Sequence, residues 1–275
     1  MIELPSGQTI PVFGMGTWRM GENPQNRRQE VAALRRGMAL GVTLIDTAEM
    51  YGEGGAEEVV AEAVGDRRSE VFLVSKVYPH NASKQGAIAA CERSLKRLNT
   101  DYLDLYLLHW RGSVPLSETL EAFQMLKQSG KIRDYGVSNL DVSDMAAAIA
   151  LPGGQEIATN QVLYNLSRRG IETNLLPWCR DRNIPIMAYS PIEQGRLLGN
   201  RTLGKIAKEK GVSEAQIAIA WILQQEDIIV IPKSSHIEHV EQNYAALTIT
   251  LTSEDLSLLN EAFPKPNRPI PLQML

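Results

Sequence analysis

Thr43-Leu44-Ile45-Asp46-Thr47-Ala48-Glu49-Met50-Tyr51-Gly52 is the stretch on which the reading of this chain turns. An apolar run from Val42 to Ile45 fits a buried strand, and it stops directly on a carboxylate. A tyrosine follows five positions later, beside a glycine suited to a tight loop. One explanation is structural: Asp46 caps a helix starting near Ala56, and Tyr51 packs as an ordinary amphipathic residue. The other is chemical, and the rest of the chain decides between them.

The same strand-then-helix pattern runs outward from this stretch in both directions. Upstream, Ile2 to Leu4 and Thr9-Ile10 flank Pro5-Ser6-Gly7-Gln8, a small hairpin with Ser-Gly at its turn. Pro11 to Trp18 reads as a strand in which Gly14 and Gly16 mark close backbone approach. Val31, Leu34 and Met38 then recur at helical spacing until Gly41 stops the helix.

Downstream, Val71 to Ser75 is a strand, and Ser83 caps a helix with Ile88, Cys91, Leu95 and Leu98 on one face. Leu103 to Leu108 ends at His109-Trp110, and Ser117 opens a helix closed by Gly130. Further strands are expected at Ile132 to Val137, near Ile157 to Asn160, at Ile186 to Tyr189 and at Ile228 to Ile231. Helices are expected after Asp141, around Leu175 and Trp178, at Leu203 to Gly211, from the capping box Ser213/Gln216, and over Ile237, Val240, Tyr244 and Leu247.

Counting the strand near Val12, eight strands are each followed by helix, which predicts an α/β chain closed as a (β/α)8 TIM barrel behind an N-terminal β-hairpin. Gly14-Met15-Gly16 lacks the third glycine of the dinucleotide fingerprint, and no Gly-Lys-Ser/Thr phosphate loop occurs, so an open nucleotide-binding sheet finds no motif. With 275 residues, 44% of them hydrophobic, the chain can fill one such barrel. The domain reading is a single barrel over residues 1–275, with the hairpin at 1–10 and a Pro-rich tail at 264–275.

A net charge of -4 argues against nucleic acid or an anionic membrane as partner. No signal segment or membrane-length apolar run is present, and the two cysteines, Cys91 and Cys179, lack zinc-like spacing, so a reduced, cytoplasmic, monomeric protein is expected. The four histidines, His80, His109, His236 and His239, give no metal site; His236 and His239 read as a solvated pair on one helix face.

In such a barrel the C-terminal strand ends share one face, and that face carries the chemistry. Asp46 and Tyr51 follow the second strand, Lys76 the third and His109 the fourth. Four groups able to exchange protons on one rim argue for acid–base work. An ammonium beside Tyr51 is expected to lower its pKa from about 10. Asp46 would keep Lys76 charged, and neutral His109 could hydrogen-bond a carbonyl oxygen. This set suits protonation of an oxygen while a cofactor delivers hydride to the adjacent carbon.

The chain resembles the aldo-keto reductases along essentially its whole length. The matching stretches are Gly14 to Trp18, Ile45 to Ala48 with Tyr51-Gly52, Ser75-Lys76, Asp104 to Trp110, Gly136 to Asn139, Asn160-Gln161, Ala188 to Pro191 and Ile231 to Ser234. Each is short, and their common order and spacing make the match specific. The resemblance implies Asp46, Tyr51, Lys76 and His109 as catalytic tetrad, Tyr51 as general acid, and NADPH as hydride donor to small carbonyl substrates. It places the cofactor along Gly16, Thr17, Trp18 and Asp46, with Ser138, Asn139 and Gln161 holding the carboxamide and Tyr189 stacking on the nicotinamide. Ser190, Ile192 and Gln194 then lie near the pyrophosphate, and Ile231, Lys233, Ser234, His239, Gln242 and Asn243 near the adenosine phosphate.

His239 stands where the family has an arginine, and Gln242 where it has a glutamate. An imidazole cannot grip phosphate bidentately, so a weakened NADPH preference, or use of NADH, is expected. Lys233 otherwise reads as a solvated helix-start residue. Trp18, Met50, Tyr51, Tyr78, His109 and Trp110 are expected to wall the substrate slot, left open by a short tail. Two other classes compete: a cofactor-binding redox sensor with little turnover, and a Schiff-base lyase using Lys76 as nucleophile.

Overall fold

A computed structural model describes all residues, Met1–Leu275. The elements are β1 (Ile2–Glu3), β2 (Thr9–Ile10), β3 (Gly14–Gly16), α1 (Arg27–Ala39), β4 (Leu44–Asp46) and α2 (Gly55–Val64). Next come β5 (Phe72–Val77), α3 (Lys84–Leu98), β6 (Leu103–Leu108), α4 (Leu116–Gln128), β7 (Ile132–Ser138), α5 (Val142–Ile149) and β8 (Ile157–Leu163). The chain continues through α6 (Leu175–Arg180), β9 (Ile186–Tyr189), α7 (Arg201–Lys210), α8 (Glu214–Leu223), β10 (Ile228–Val230), α9 (Ile237–Ala245) and α10 (Ser253–Ala262).

Strands β3 to β10 pair in sequence order, every pair parallel. Parallel bridges Phe13↔Val230 and Gly16↔Lys233 join the two outer strands. There the Gly16 amide donates to Pro232 O at 3.0 Å, and the Val230 amide to Val12 O at 2.9 Å. The chain is therefore the (β/α)8 barrel that the eight repeats predict.

Alternation along the strands divides the apolar residues into two cores. A small inner one gathers Leu44, Val74, Leu105, Leu107, Ala158, Met187, Ile229 and Ile231. A large outer one of 64 residues fills the space between strands and helices. Leu4 and Ile10 of the hairpin belong to the inner core. Ser6 Oγ donates to Asp134 Oδ2 at 2.7 Å, tying the hairpin turn across the N-terminal end of β7. The hairpin thus plugs the end of the barrel opposite the strand mouths.

Local signals explain most boundaries. Ser83 and Asp141 accept hydrogen bonds from Gly86 N and Asp144 N, Ser213/Gln216 forms its capping box, and Gly211 ends α7 at φ +67°. Three expectations need correction. Helix α4 starts at Leu116, because Pro115 takes the cap position and leaves Ser117 inside the first turn. Helix α10 was not expected, although Thr252 and Asp255 form a capping box at its start. The tail has no regular structure but does not hang free: Ile270 packs on Gly170, and Met274 and Leu275 reach the mouth of the barrel. The expectation of a slot left open by the tail is therefore wrong.

Candidate active site

Period two along the inward-facing residues carries the inner core up to the site. Leu44 leads to Asp46, Val74 to Lys76, Leu105 and Leu107 to His109, and Met187 to Tyr189. Each chemical group is thus the last inward residue of a strand whose lower positions are apolar. Tyr51 arrives differently, on a short helical turn, Tyr51–Gly54, directly after β4.

Lys76 is fully buried, and its Nζ donates to Asp46 Oδ2 at 2.7 Å, to Thr47 O at 2.8 Å and to the Tyr51 hydroxyl at 3.2 Å. All three ammonium protons are therefore engaged. Burial lowers the Lys76 pKa, with Asp46 opposing the shift. Burial and then the Asp46 carboxylate push the Tyr51 phenol well above its usual value. That reverses the lowering expected from the sequence, because the Lys76 charge is spent on Asp46 and desolvation dominates. His109 is pushed down to about 2 by burial and then by Lys76, so its imidazole is neutral. Its ring stands edge-on to Tyr51 at 5.5 Å between centroids, and its Nδ1 is buried without a hydrogen-bond partner.

Gln161 reaches the same cluster through an irregularity. Between Tyr135 and Val137 β7 advances two residues while β8 advances three, from Ile157 to Asn160. This bulge turns Gln161 into the barrel, where its Nε2 donates to Asp46 Oδ1 at 2.8 Å. Ser138 Oγ donates to Gln161 O at 2.8 Å, and Asn139 Oδ1 accepts from the Tyr189 hydroxyl at 3.0 Å. Asn139, at φ +58°, also donates to His109 O.

A cavity of about 540 Å3 opens above this floor, within the range of roughly 300–1,000 Å3 that small ligands and cofactors occupy. Tyr51, His109, Trp110, Ser138, Asn139, Gln161, Tyr189, Lys233 and Asn243 line it. Gly16, Thr17, Trp18, Asp46, Met50, Ser190, Ile192, Gln194 and Ile231 also line it. Among the residues expected in the site, Lys76, Tyr78, Ser234, His239 and Gln242 do not; Lys76 is buried and reaches the cavity only through Asp46 and Tyr51. Tyr78 sits beside His80 at 4.5 Å and edge-on to Trp110 at 5.5 Å, behind the wall it was expected to form. His239 is exposed on α9, its ring 5.3 Å from that of His236, and Lys233 Nζ donates to Ser235 Oγ at 2.8 Å.

Sequence reasoning missed Arg19, Pro191, Gly195, Pro232, Met274 and Leu275 in the lining. Arg19, Pro191, Gly195 and Pro232 directly follow identified residues and were findable. Met274 and Leu275 carry no local signal, because where a tail comes to rest is a tertiary matter.

Inward carboxylate, ammonium, phenol and imidazole at the mouth of an eightfold barrel define an oxidoreductase site of one kind. Residues 12–263 match the model of the aldo/keto reductase family, and the chain belongs to that family. It is 53% identical to the methylglyoxal reductase YeaE of Escherichia coli (strain K12), over 100% of this chain and 99% of that one. A glyoxal reductase of Bacillus subtilis (strain 168) is 32% identical over 94% of this chain and 91% of its own. Among solved structures, the aldo/keto reductase from Klebsiella pneumoniae in complex with NADP and acetate superposes with a TM-score of 0.97 at 50% identity, covering 100% of this chain and 99% of that one.

Proposed function

We propose that this aldo/keto reductase uses NADPH to reduce small α-dicarbonyl compounds of the methylglyoxal and glyoxal kind to hydroxycarbonyls, as a cytoplasmic monomer with one barrel domain over residues 1–275. The observation that carries the chemistry is the Lys76 ammonium held between Asp46 and the Tyr51 hydroxyl on the cavity floor. The residues present fit the cofactor. His109, Asn139, Gln161 and Tyr189 line the cavity, and His109 Nδ1 is left without a partner. Lys233 and buried Asn243 line it as well.

When bound, NADPH supplies the hydride that reaches the carbonyl carbon. Tyr51 gives its phenolic proton to the carbonyl oxygen, which is negative only as that hydride arrives. Lys76, at 3.2 Å, stabilises the phenolate left behind, and Asp46 keeps the ammonium charged inside the barrel. A neutral His109 can orient the oxygen without competing for the proton. The Schiff-base alternative fails on the same geometry, because an amine with three hydrogen bonds and a carboxylate partner is not a free nucleophile.

Trp18, Met50, Trp110, Met274 and Leu275 give the substrate end an apolar wall and little room, which favours small dicarbonyls. Both cysteines are buried and unpaired, in keeping with a reducing compartment. Initial rates with methylglyoxal, glyoxal and bulky ketones, each with NADPH and NADH, test this reading. Higher kcat/KM for the small dicarbonyls with NADPH is expected; a preference for bulky ketones or NADH would overturn it. Light scattering on the eluting peak checks the monomer, for which a mass near 30.5 kDa is expected.

A further inference from the structure

The loop after β9 is held in an unusual conformation. Ser190, Glu193 and Gln194 all have positive φ, at 52°, 51° and 55°, and Gly195 follows at 89°. Side chains other than glycine rarely adopt such values, and they persist only where surrounding contacts over-determine them. Here those contacts converge on Glu193. Ser190, Pro191, Ile192, Gln194 and Gly195 face the main cavity, whereas Glu193 is absent from its lining and buried.

The Glu193 carboxylate accepts from Asn165 Nδ2 at 2.8 Å, from Arg168 Nε at 2.9 Å and from Arg196 at 3.0 Å, with a second Arg168 nitrogen at 2.7 Å. Asn165 Nδ2 also donates to Ser190 O at 2.9 Å, at the other end of the loop. Burial raises the Glu193 pKa, but Arg168, Asn165 and Arg196 outweigh it, so the group stays ionised. Asn165 and the Glu193 carboxylate together thus tie both ends of the loop to the chain that leaves β8.

We propose that Glu193, gripped by Arg168, Arg196 and Asn165, is a positioning residue that keeps this loop in the shape that binds the diphosphate of a dinucleotide. The inference rests on the NADPH reading above. The loop binds the cofactor tightly because its ordering is complete before the cofactor arrives, and that ordering comes from the buried ion cluster rather than from loop sequence alone. Arg168 and Arg196 take no part in binding the phosphates; their charge is used on Glu193.

Glu193→Gly and Glu193→Gln probe the residue together. Glycine accepts a φ near +51° without strain but adds backbone freedom, whereas Glu193→Gln removes the charge without adding that freedom, so the pair of variants separates the two effects. Titrating NADPH into the full chain by fluorescence should show Kd raised about tenfold or more, equivalent to ~1.4 kcal/mol. KM for methylglyoxal is expected within twofold of wild type, and kcat at saturating NADPH unchanged or raised. Glu193→Gln, which keeps an acceptor oxygen for Arg168, should fall between, and so should Arg196→Ala at its half-exposed site. Unchanged NADPH affinity in all three variants would overturn the proposal, as would equal rises in both KM values. Should wild type itself bind no NADPH, the cofactor reading fails and takes this inference with it. Wild-type binding with indifferent variants removes the inference alone.

Discussion

In the proposed mechanism Tyr51 gives up a proton from an environment that holds the proton on, so its neighbours determine how it is released. Burial and Asp46 raise its pKa, so at working pH it is wholly in the acid form. The role proposed for Lys76 is therefore to act on the transition state rather than on the resting phenol. Lys76→Met should abolish turnover and cost about 3–5 kcal/mol in urea denaturation, because Asp46 is left charged and unpaired in the barrel. Adding Asp46→Asn should recover most of the stability and none of the activity. Recovery of activity in the double variant would place the essential charge elsewhere.

His109 makes a separate claim about pH. With its folded pKa at about 2 against an ordinary value near 6.5, it stays neutral across the working range. A plot of kcat/KM for reduction should thus show no imidazole limb between roughly pH 5 and 8. The sign for stability follows: the unfolded chain binds a proton that folded His109 refuses, so stability falls as pH drops from about 6.5 towards 2. His109→Gln should make acid unfolding shallower; an unchanged slope would contradict the buried neutral imidazole. Asp46, Lys76 and His109 were legible in the sequence because a strand that ends on a polar group announces it. The direction of the Tyr51 shift was not, since desolvation depends on what closes over the hydroxyl. Tyr78 misled for a related reason: its place after a strand was right, but its ring turned to His80 and Trp110.

At the scale of elements, alternation placed the site and one departure from alternation completed it. The β8 bulge brings Gln161 to Asp46, an event that no spacing in Ile157 to Leu163 discloses. Gln161→Leu leaves Asp46 Oδ1 unpaired and should cost about 1–3 kcal/mol. The tail is the other element that the sequence left open. Prolines at 264, 266, 269 and 271 predict irregular chain, and they do not say that it lies across α5, α6 and the barrel mouth. Removing residues 264–275 should lower Tm and lower KM for bulky ketones, while KM for methylglyoxal stays within about twofold. Unchanged KM for the large substrates would show that Met274 and Leu275 do not wall the slot.

Across the whole molecule, the hairpin and the candidate site occupy opposite ends of one barrel. The hairpin closes the N-terminal end with Leu4 and Ile10, and the polar layer crowns the other. Ile10 is wholly buried, so Ile10→Ala should cost about 2–5 kcal/mol in denaturation while leaving kcat/KM per folded molecule unaltered. A matching loss of activity would mean that the two ends are coupled. The eightfold repeat was legible because each strand and helix announces itself locally; closure of the barrel through Gly16 and Lys233 is a long-range fact that only the count of eight implied.

The most direct test of the central claim is single-turnover reduction of methylglyoxal by NADPH in Tyr51→Phe beside wild type. NADPH affinity within about twofold of wild type and a hydride-transfer rate lower by about 10²- to 10⁴-fold are expected, because the phenol hydroxyl that supplies the proton is lost while the ring remains. A Tyr51→Phe protein that transfers hydride at the wild-type rate would contradict it.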